Sequence, residues 1–373
     1  MFKNKFLDKY DTPILFSLLI LNLITITYFP YYIYNNGIVW QEIMIFISGW
    51  ILAGMGITIG YHRYFSHKTF RTYNFMEWIF MFCGTMGLQN KIINWCSDHR
   101  RHHKKLDTAA DPYSIKEGFF HAHIGWIFKK SNYDIKGVSD LSKKNAVDFQ
   151  TKYYWPLALF LCFILPFLIG LLFGRPIGGL LWGGVVRVVI VHHFTFFINS
   201  LCHYAGDRKY DLNTSARDSW YMAFLTFGEG YHNYHHKFQW DYRNGIKWYN
   251  FDPSKWIIKF LSFFKITYGL RKVSDPQIFK AQIDTLNNRI IKLSKNIKID
   301  GILNKRIAKI TNRALTNIEL WESLDNKYNR LKIFSKNKYD NIRYREKVNL
   351  FELEIKNSLS SLMLIVINLR SLV

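Results

Sequence analysis

The chain has 373 residues, with 50 Lys and Arg against 27 Asp and Glu, and its formal net charge is +23. Hydrophobic residues make up 49% of the chain and aromatic residues 18%. A soluble nucleic-acid binder would account for the charge, but not for apolar residues that lie in four long runs between charged segments. This distribution argues against nucleic-acid binding and predicts an integral membrane protein with a basic side. The four cysteines form no CxxC pair, which argues against a disulfide framework or a thiolate zinc site.

Four apolar runs are each long enough to cross the hydrocarbon core of a bilayer, which is about 30 Å thick. They cover residues 13–34, 39–60, 153–174 and 177–199, and short turns join them into two hairpins. The first run is too long for a cleavable signal peptide. Lys3, Lys5 and Lys9 precede it and residues 68–152 are densely basic, whereas the two hairpin turns hold only Arg175. The positive-inside rule therefore predicts that both termini and the middle segment are cytoplasmic.

A further apolar stretch, residues 75–95, is interrupted by the polar residues Glu77, Gln89, Asn90 and Lys91. We interpret it as an interfacial or re-entrant helix, because a fifth span would place the histidine-rich segments on opposite sides of the membrane. The sequence therefore predicts an all-α integral membrane protein with four transmembrane helices in two hairpins. A cytoplasmic helical cap is expected to carry the functional site.

Residues 274–373 differ in character from residues 1–273 and are predicted to form a separate, charged cytoplasmic helical extension. They contain 19 Lys and Arg, 10 Asp and Glu, and no histidine. Apolar residues recur at intervals of three and four, which is typical of amphipathic helices in a coiled coil or a helical hairpin. Examples are Ile283, Leu286, Ile290, Leu293 and Ile297. This pattern favours packing or self-association over a catalytic role.

Histidines are the main chemical signal, because most of the 13 lie in clusters at the predicted cytoplasmic ends of the spans. The clusters are His62 and His67 in HRYFSH, His99, His102 and His103 in HRRHH, His203 in NSLCH, and His232, His235 and His236 in HNYHH. Residues three and four apart share a helix face, so each triplet is expected to present its imidazoles in one direction. His62 and His67 would converge if the helix end unwound slightly. Isolated histidines such as His121 and His192 are interpreted as structural.

The clustered imidazoles outnumber the roughly four to six ligands that one ion takes, so the sequence favours two metal ions close together. Imidazole suits iron, copper, zinc and nickel. A metal-bound imidazole usually donates its other N–H to a carboxylate. Candidates for that role, or else solvated surface charges, are Asp98, Asp107, Asp111, Glu229 and Asp241. Arg187, inside the fourth run, needs a partner and is interpreted as structural.

The three histidine boxes in this order resemble those of the membrane-bound acyl-CoA desaturases, in particular the delta-nine, stearoyl-CoA-like branch and its bacterial members. The connecting segments agree, as in GITIGYHRYFSH, NWCSDHRRHH, NSLCHYAG and GEGYHNYHHKFQWDYRNG. The resemblance covers residues 13–272. Lys209 and Gln239 depart from it at positions where the family often has proline, which affects local turns rather than ligands.

This resemblance implies a di-iron centre that uses dioxygen to remove two hydrogens from a saturated fatty acyl chain, giving a cis double bond near carbon nine. The implied ligands are His62, His67, His99, His102, His103, His203, His232, His235 and His236, with Asn199 holding a metal-bound water. Residues 274–373 lack the histidine-containing haem motif of fused family members. Electrons are therefore expected from a separate ferredoxin or small haem cytochrome with its reductase. The implied location is a bacterial inner membrane.

The acyl chain needs a narrow apolar tunnel, and Trp50, about three turns before His62, is predicted to close its end. Four basic residues, Arg100, Arg101, Lys104 and Lys105, are candidates for binding the phosphates of the substrate. They suit CoA and anionic lipid equally, so the acyl carrier is CoA, an acyl carrier protein or a phospholipid. Two other functions are open: a di-iron lipid or alkane hydroxylase with the same metal site, and a metal-handling or scaffold protein. The second is disfavoured because the spans carry few polar residues.

Overall fold

The structure is a computed structural model that describes residues 10–130, 134–295, 300–334 and 338–372. Lys3, Lys5, Lys9 and Ile297, on which part of the sequence analysis rests, lie outside these residues. The chain divides into two compact units. The first contains the chain up to Asp207 together with Thr214–Lys272, and the second contains Arg208–Asn213 together with the chain from Val273 onward.

Four helices of the first unit are long and apolar enough to cross a membrane, as the sequence predicts: Thr12–Asn36, Trp40–Ser66, Asn145–Leu172 and Pro176–Tyr204. The first contains α1 (Thr12–Ile26) and α2 (Tyr28–Asn36). Asp11 caps its start by accepting a hydrogen bond from the backbone N–H of Ile14 at 3.3 Å. The second contains α3 (Trp40–Met55) and continues as a π-helical segment, Gly56–Ser66, beyond the predicted end of the run.

A helical cap is formed by the residues between the second and third spans and by those after the fourth. Its first part contains β1 (Arg71–Thr72), α4 (Asn74–Thr85), α5 (Ile92–Lys105), a 3₁₀ turn (Ile115–Glu117), a π-helical turn (His121–Gly125) and α6 (Trp126–Phe128). The stretch interpreted as a non-spanning helix is α4, which has only 12 residues. A polar turn then leads into α5, which carries the HRRHH box.

The third span contains α7 (Asn145–Leu159), a π-helical segment (Phe160–Ile164) and α8 (Leu165–Leu172). The fourth contains α9 (Pro176–Gly179), a second π-helical segment (Leu180–Val186) and α10 (Arg187–Tyr204). The second part of the cap follows, with α11 (Trp220–Leu225), α12 (His232–Lys237), α13 (Pro253–Phe263) and β2 (Thr267–Tyr268). Strand β2 pairs antiparallel with β1, in the register Arg71 with Tyr268 and Thr72 with Thr267, and so joins the two parts of the cap.

Two polar clusters hold the fourth span in place, one against the first hairpin and one against the turn that follows α4. At the turn end, Glu42 is buried and its Oε1 accepts hydrogen bonds from the hydroxyl of Tyr32 at 2.7 Å and from Nε of Arg175 at 2.8 Å. A side chain at Gly178 would place its Cβ 1.8 Å from the same oxygen, so only glycine fits there. These contacts hold the start of the fourth span against the first hairpin.

Arg187 lies fully buried in the fourth span. Its guanidinium donates to the carbonyl oxygens of Gly183, at 2.8 Å, and of Met86, in the turn that follows α4. His192 also lies against this turn, with Nε2 3.1 Å from the carbonyl oxygens of Gly87 and Leu88. Cations and N–H donors at the C-terminal end of a helix satisfy its free carbonyls. Both residues therefore have the structural role that the sequence analysis assigned to them.

The described residues of the second unit form three helices: α14 (Asp275–Ser294), α15 (Gly301–Phe334) and α16 (Lys338–Arg370). Their inward faces form one apolar core, which includes Ile283, Ile318, Trp321, Ile355 and Leu362. The apolar residues that recur at intervals of three and four in this segment form the inner face of α14, where Ile283 and Ile290 are buried.

Candidate metal centre

The π-helical end of the second span places His62 and His67 on the same side of the chain. In a π-helix each N–H bonds to the carbonyl five residues earlier, and the N–H of His67 donates to the carbonyl oxygen of His62 at 3.1 Å. The two imidazole rings lie 4.8 Å apart, centre to centre. The five-residue spacing therefore reflects this change of helix type rather than a loosened α-helix.

The histidine triplets of α5 and α12 each divide between two groups instead of facing one way. In α5, His99 and His103 lie in the first group and His102 in the second; in α12, His235 lies in the first group and His232 and His236 in the second. Residues four apart differ by only a small rotation around an α-helix, whereas the residue between them projects to one side. Each of these helices therefore contributes to both groups.

The first group contains five imidazoles: His62, His67, His99, His103 and His235. Nε2 of His235 lies 3.0 Å from Nε2 of His62 and 3.0 Å from Nε2 of His103. Nε2 of His67 lies 2.8 Å from Nε2 of His99. One nitrogen from each of the five lies within 4.8 Å of all the others.

The second group contains four imidazoles, His102, His203, His232 and His236, of which His203 comes from the last turn of the fourth span. Nε2 of His232 lies 3.0 Å from Nε2 of His203 and 3.0 Å from Nε2 of His236. Nε2 of His102 is buried and has no hydrogen-bond partner among the described residues. The two groups are adjacent, because the rings of His103 and His236 stack at a centre-to-centre distance of 4.2 Å.

These nitrogen positions fit two metal ions better than they fit hydrogen bonds between imidazoles. A neutral imidazole nitrogen carries either one proton or one lone pair, so Nε2 of His235 cannot pair well with two others at once. For a metal–nitrogen bond of about 2.1 Å, neighbouring ligand atoms lie roughly 3.0–3.4 Å apart in octahedral and tetrahedral arrangements. The observed separations of 2.8–3.0 Å are close to the octahedral end of this range.

The protonation states also suit metal binding, because a ligating histidine must be neutral. Burial, followed by the neighbouring imidazoles, lowers the pKa of the cap histidines well below its ordinary value of 6.5. These are His67, His99, His102, His103, His232, His235 and His236. The site therefore presents uncharged nitrogen lone pairs at neutral pH.

Three of the predicted carboxylates lie behind the imidazoles and contact their outer nitrogens directly or through one residue. Nδ1 of His102 hydrogen-bonds Oδ1 of Asp111 at 2.8 Å. Nδ1 of His203 lies 2.7 Å from Oγ of Ser215, which in turn donates to Asp107 at 2.6 Å. A proton held on Nδ1 leaves the lone pair on Nε2, the nitrogen that faces the group.

Glu229 has the same relation to His62, with Oε2 2.8 Å from Nδ1. The N–H direction there is oblique, so the contact is electrostatic more than a well-aligned hydrogen bond. Oε1 of Glu229 also accepts two bonds from Arg63, at 3.0 and 3.2 Å. Burial alone would raise the pKa of Glu229, but His62 and Arg63 lower it to about 2, so the group stays a carboxylate.

Two predicted carboxylates contact other side chains instead. Asp98 lies 3.3 Å from the guanidinium of Arg101. Asp241 accepts hydrogen bonds from the hydroxyl of Tyr234 and from Arg243, both at 2.7 Å. Neither has a described contact with a histidine of the two groups. Asn199 lies four residues before His203 on α10, about one helical turn away, and therefore on the same face of that helix.

Of the four basic residues predicted to bind the substrate head group, two are engaged within the cap. Arg100 donates to Asp140 at 2.7 and 3.1 Å and to the carbonyl oxygens of Phe65, Ser66 and Gly137. Arg101 donates to Asp98 and to the carbonyl oxygen of Asp134. Lys104 and Lys105 are exposed at the end of α5. Trp50 packs inside the membrane region, with its ring 4.9 Å from that of Phe227 and 6.2 Å from that of Phe194.

A polar bridge that was not predicted from the sequence joins the cap to the fourth span. The side chain of Gln89 donates to Oγ1 of Thr195 at 2.8 Å and accepts from Nε1 of Trp95 at 3.3 Å. The Trp95 ring stacks on His99 of the first group at 4.9 Å. The signal for this bridge was the polar interruption at Gln89, which was used only to argue against a fifth span.

The fold and the site together define a multi-pass membrane protein with a centre of nine buried or half-buried histidines that suits metal ions. The family model described as fatty acid desaturase matches residues 40–262, and the chain belongs to this family. The chain is 40% identical over 254 residues to a probable acyl-CoA desaturase of Schizosaccharomyces pombe, an alignment that covers 67% of this chain and 53% of that protein. The family match ends before Val273, where the main part of the second unit begins.

Two further relatives show the range of the family. Acyl-CoA desaturase 1 of Saccharomyces cerevisiae is 36% identical over 276 residues, which cover 73% of this chain and 52% of that protein. The sn-1 stearoyl-lipid 9-desaturase of Synechocystis is 37% identical over 227 residues, covering 60% of this chain and 70% of that protein. The chain thus spans about half the length of the two yeast proteins that it matches.

Proposed function

We propose that the protein is an oxygen-dependent acyl-CoA desaturase that introduces a cis double bond near carbon nine of a saturated fatty acyl chain. The observation that carries this proposal is the pair of adjacent imidazole groups in a chain of the fatty acid desaturase family. The named activities of the relatives, on acyl-CoA and on the stearoyl group of a lipid, support a fatty acyl substrate.

Two iron ions, held by the five and the four histidines, would supply the redox chemistry in which dioxygen and two external electrons remove two hydrogens from adjacent CH2 groups. With two protons taken up, the balanced products are one cis alkene and two molecules of water. Asp111, Glu229 and the pair Ser215–Asp107 fix the histidine tautomers, so that nitrogen lone pairs face inward. Asn199, on the same face of α10 as His203, would orient a water molecule at the second group.

The electrons would come from a separate ferredoxin or small haem cytochrome and its reductase. Within residues 274–373 there is no histidine that could ligate haem. The cap and both termini would lie on the cytoplasmic side of a bacterial inner membrane. The basic middle segment supports this orientation through the positive-inside rule. The exposed Lys104 and Lys105 follow His103 directly and would attract an anionic partner to the mouth of the site.

The proposed function is tested by the fatty-acid profile of a host that lacks its own desaturase and expresses either this chain or its His99→Ala variant. Gas chromatography with double-bond localisation is expected to show a new cis bond near carbon nine that is absent in the variant. A hydroxylated chain would instead assign the protein to the lipid hydroxylases. If neither product forms even when a ferredoxin or a cytochrome is supplied with its reductase, the proposal is refuted.

The head group is tested by the double variant Lys104→Glu, Lys105→Glu in purified full-length protein. If these lysines bind the phosphates of CoA, the KM for acyl-CoA rises about tenfold or more while kcat at saturation is kept. A head-group contact is the same in the ground state and in the transition state, so its loss weakens binding without slowing the reaction of the bound substrate. The control is Lys347→Glu, an exposed lysine of the second unit, which should leave KM unchanged. A fall in the rate of electron delivery at unchanged KM would assign the lysines to the electron carrier.

A further inference from the structure

Helix α16 of the second unit is apolar on two opposite faces. Its inner face packs into the core of the three-helix unit, where Ile355, Leu362 and Leu369 are buried. Its outer face exposes four large apolar side chains, with exposed fractions of 57% at Leu350, 56% at Leu353, 60% at Leu364 and 51% at Ile367. A contiguous exposed apolar face of this kind is typical of an interaction surface. The outer face therefore requires a partner.

The outer residues follow the spacing of a coiled-coil seam. Positions 350, 353, 357, 360, 364 and 367 alternate in steps of three and four, and all six are exposed. They are Leu350, Leu353, Asn357, Ser360, Leu364 and Ile367. We call this set the outer seam. It runs for 18 residues, about 27 Å of helix.

The outer seam is complementary to itself when read in the opposite direction. Two antiparallel copies, related by a two-fold axis between Asn357 and Ser360, would place Leu350 opposite Ile367 and Leu353 opposite Leu364. Asn357 would then face Ser360 of the other copy. Every apolar residue meets an apolar one, and the two polar side chains at the centre can hydrogen-bond across the interface. We propose that the outer seam joins two copies of this protein through an antiparallel pair of α16 helices.

A second copy fits this surface better than the hydrocarbon of a bilayer does. Asn357 and Ser360 lie in the middle of the seam, and an apolar phase would leave their polar atoms unpaired, at a cost of several kcal/mol. Lys356, which lies beside the seam and is ion-paired with Glu352 at 2.6 Å, is also exposed at this level of the helix. Copies held in one membrane also meet at a high effective concentration, so a short seam is enough.

The proposal is tested by disulfide formation in membranes that contain the full-length protein. Chains carrying Leu353→Cys with one tag and Leu364→Cys with another are co-expressed and oxidised. Antiparallel pairing brings these positions face to face, within the Cα separation of about 4.4–6.8 Å that a disulfide needs. Within one helix the two positions are about 16 Å apart and cannot be joined. The native cysteines give little background, since Cys96, Cys162 and Cys202 are buried and Cys83 is half-buried.

The expected result is a cross-linked dimer that carries both tags, with no dimer from Leu353→Cys alone. Adding Asn357→Glu to both chains should lower the cross-linked fraction by about tenfold or more, because it buries two like charges at the two-fold axis. The control is Leu320→Glu, an equally exposed leucine on α15, which should leave the fraction unchanged. Cross-linking of Leu353→Cys to itself would show a parallel pair and overturn the antiparallel seam.

A fluorescent label on the cysteine of Leu364→Cys separates the remaining outcomes. If no cross-link forms and lipids with a quencher in their acyl chains quench the label, the outer seam is covered by the bilayer and the proposal is wrong. If no cross-link forms and the label is not quenched, neither partner covers the seam, and the proposal is wrong as well. Shielding of the label that is lost when Asn357→Glu is added to the labelled chain supports it.

Discussion

Replacing Glu229 by glutamine should release metal selectively from the five-histidine group. Both carboxylate oxygens of Glu229 face donors. Oε1 accepts hydrogen bonds from Arg63, whereas Oε2 accepts one from Asn244 at 2.7 Å and also faces Nδ1 of His62. A glutamine amide must turn its NH2 group toward one of these sides. Facing Arg63 would oppose a charged donor, so the NH2 should turn toward His62 and Asn244.

This orientation changes the tautomer of His62. Nδ1 would become the acceptor and the imidazole proton would move to Nε2, the nitrogen that lies 3.0 Å from Nε2 of His235 inside the group. The group would then offer four lone pairs instead of five. Loss of such an outer partner typically lowers metal affinity about 10- to 100-fold, which corresponds to about 1.4 to 2.7 kcal/mol. The buried Arg63 keeps Asp252 at 2.9 Å as a counter-ion, so the fold should persist.

The assay is the iron retained by purified full-length protein after equilibration with increasing concentrations of a chelator. The wild type should release both ions at similar chelator concentrations, whereas Glu229→Gln should release one ion at a 10- to 100-fold lower concentration. Asp241→Asn is the matched control, because Asp241 is equally buried and is likewise paired with an arginine, Arg243. Equal metal loss from both variants would refute the tautomer argument. It would also be refuted if Glu229→Gln retained as much iron as the wild type.

Three further predictions concern the fold and the substrate tunnel. Gly178→Ala should destabilise the protein by roughly 1–3 kcal/mol, because the added methyl group overpacks against Glu42. The loss is measured as a lower Tm in detergent. Gly301 has open space around it, so Gly301→Ala should leave the Tm unchanged. Trp50→Ala should shift the products to longer acyl chains. Trp40→Ala, at an exposed position, should leave the chain lengths of the products unchanged. An unchanged chain-length profile in Trp50→Ala would rule out Trp50 as the tunnel end. Burial lowers the pKa of Lys255 from 10.5 to about 8. Between these pH values the unfolded chain binds more protons than the folded one, so the Tm should rise with pH. The variant Lys255→Met should lack this rise.

Much of the architecture is a local property of the sequence. Runs of apolar residues long enough to cross a bilayer leave few alternatives to four helices, since an unpaired backbone is too costly in hydrocarbon. The interruptions at Glu77 and Gln89 likewise show that α4 stops short of a span. The histidine boxes indicate a metal centre because imidazoles concentrated at one end of the spans have few other uses.

The division of the centre into two groups depended on tertiary structure. Spacing alone suggested that His99, His102 and His103 face one way, but a few tens of degrees of rotation decide which group each imidazole joins, and packing sets that rotation. The π-helical end of the second span is equally invisible in the sequence, because it exists only where neighbouring helices hold five-residue hydrogen bonds in place.

The same limit applies to the charged side chains around the site. Asp98 and Asp111 are both near the HRRHH box in sequence, yet only Asp111 contacts a histidine, because the chain turns back over α5 after Asp107. Arg100 and Arg101 appear free in the sequence and are engaged by Asp140 and Asp98 in the fold. The sequence by itself determined the spans, the metal-binding residue types and the family resemblance. Only the tertiary structure decided which partner each side chain meets, because those partners lie far apart along the chain.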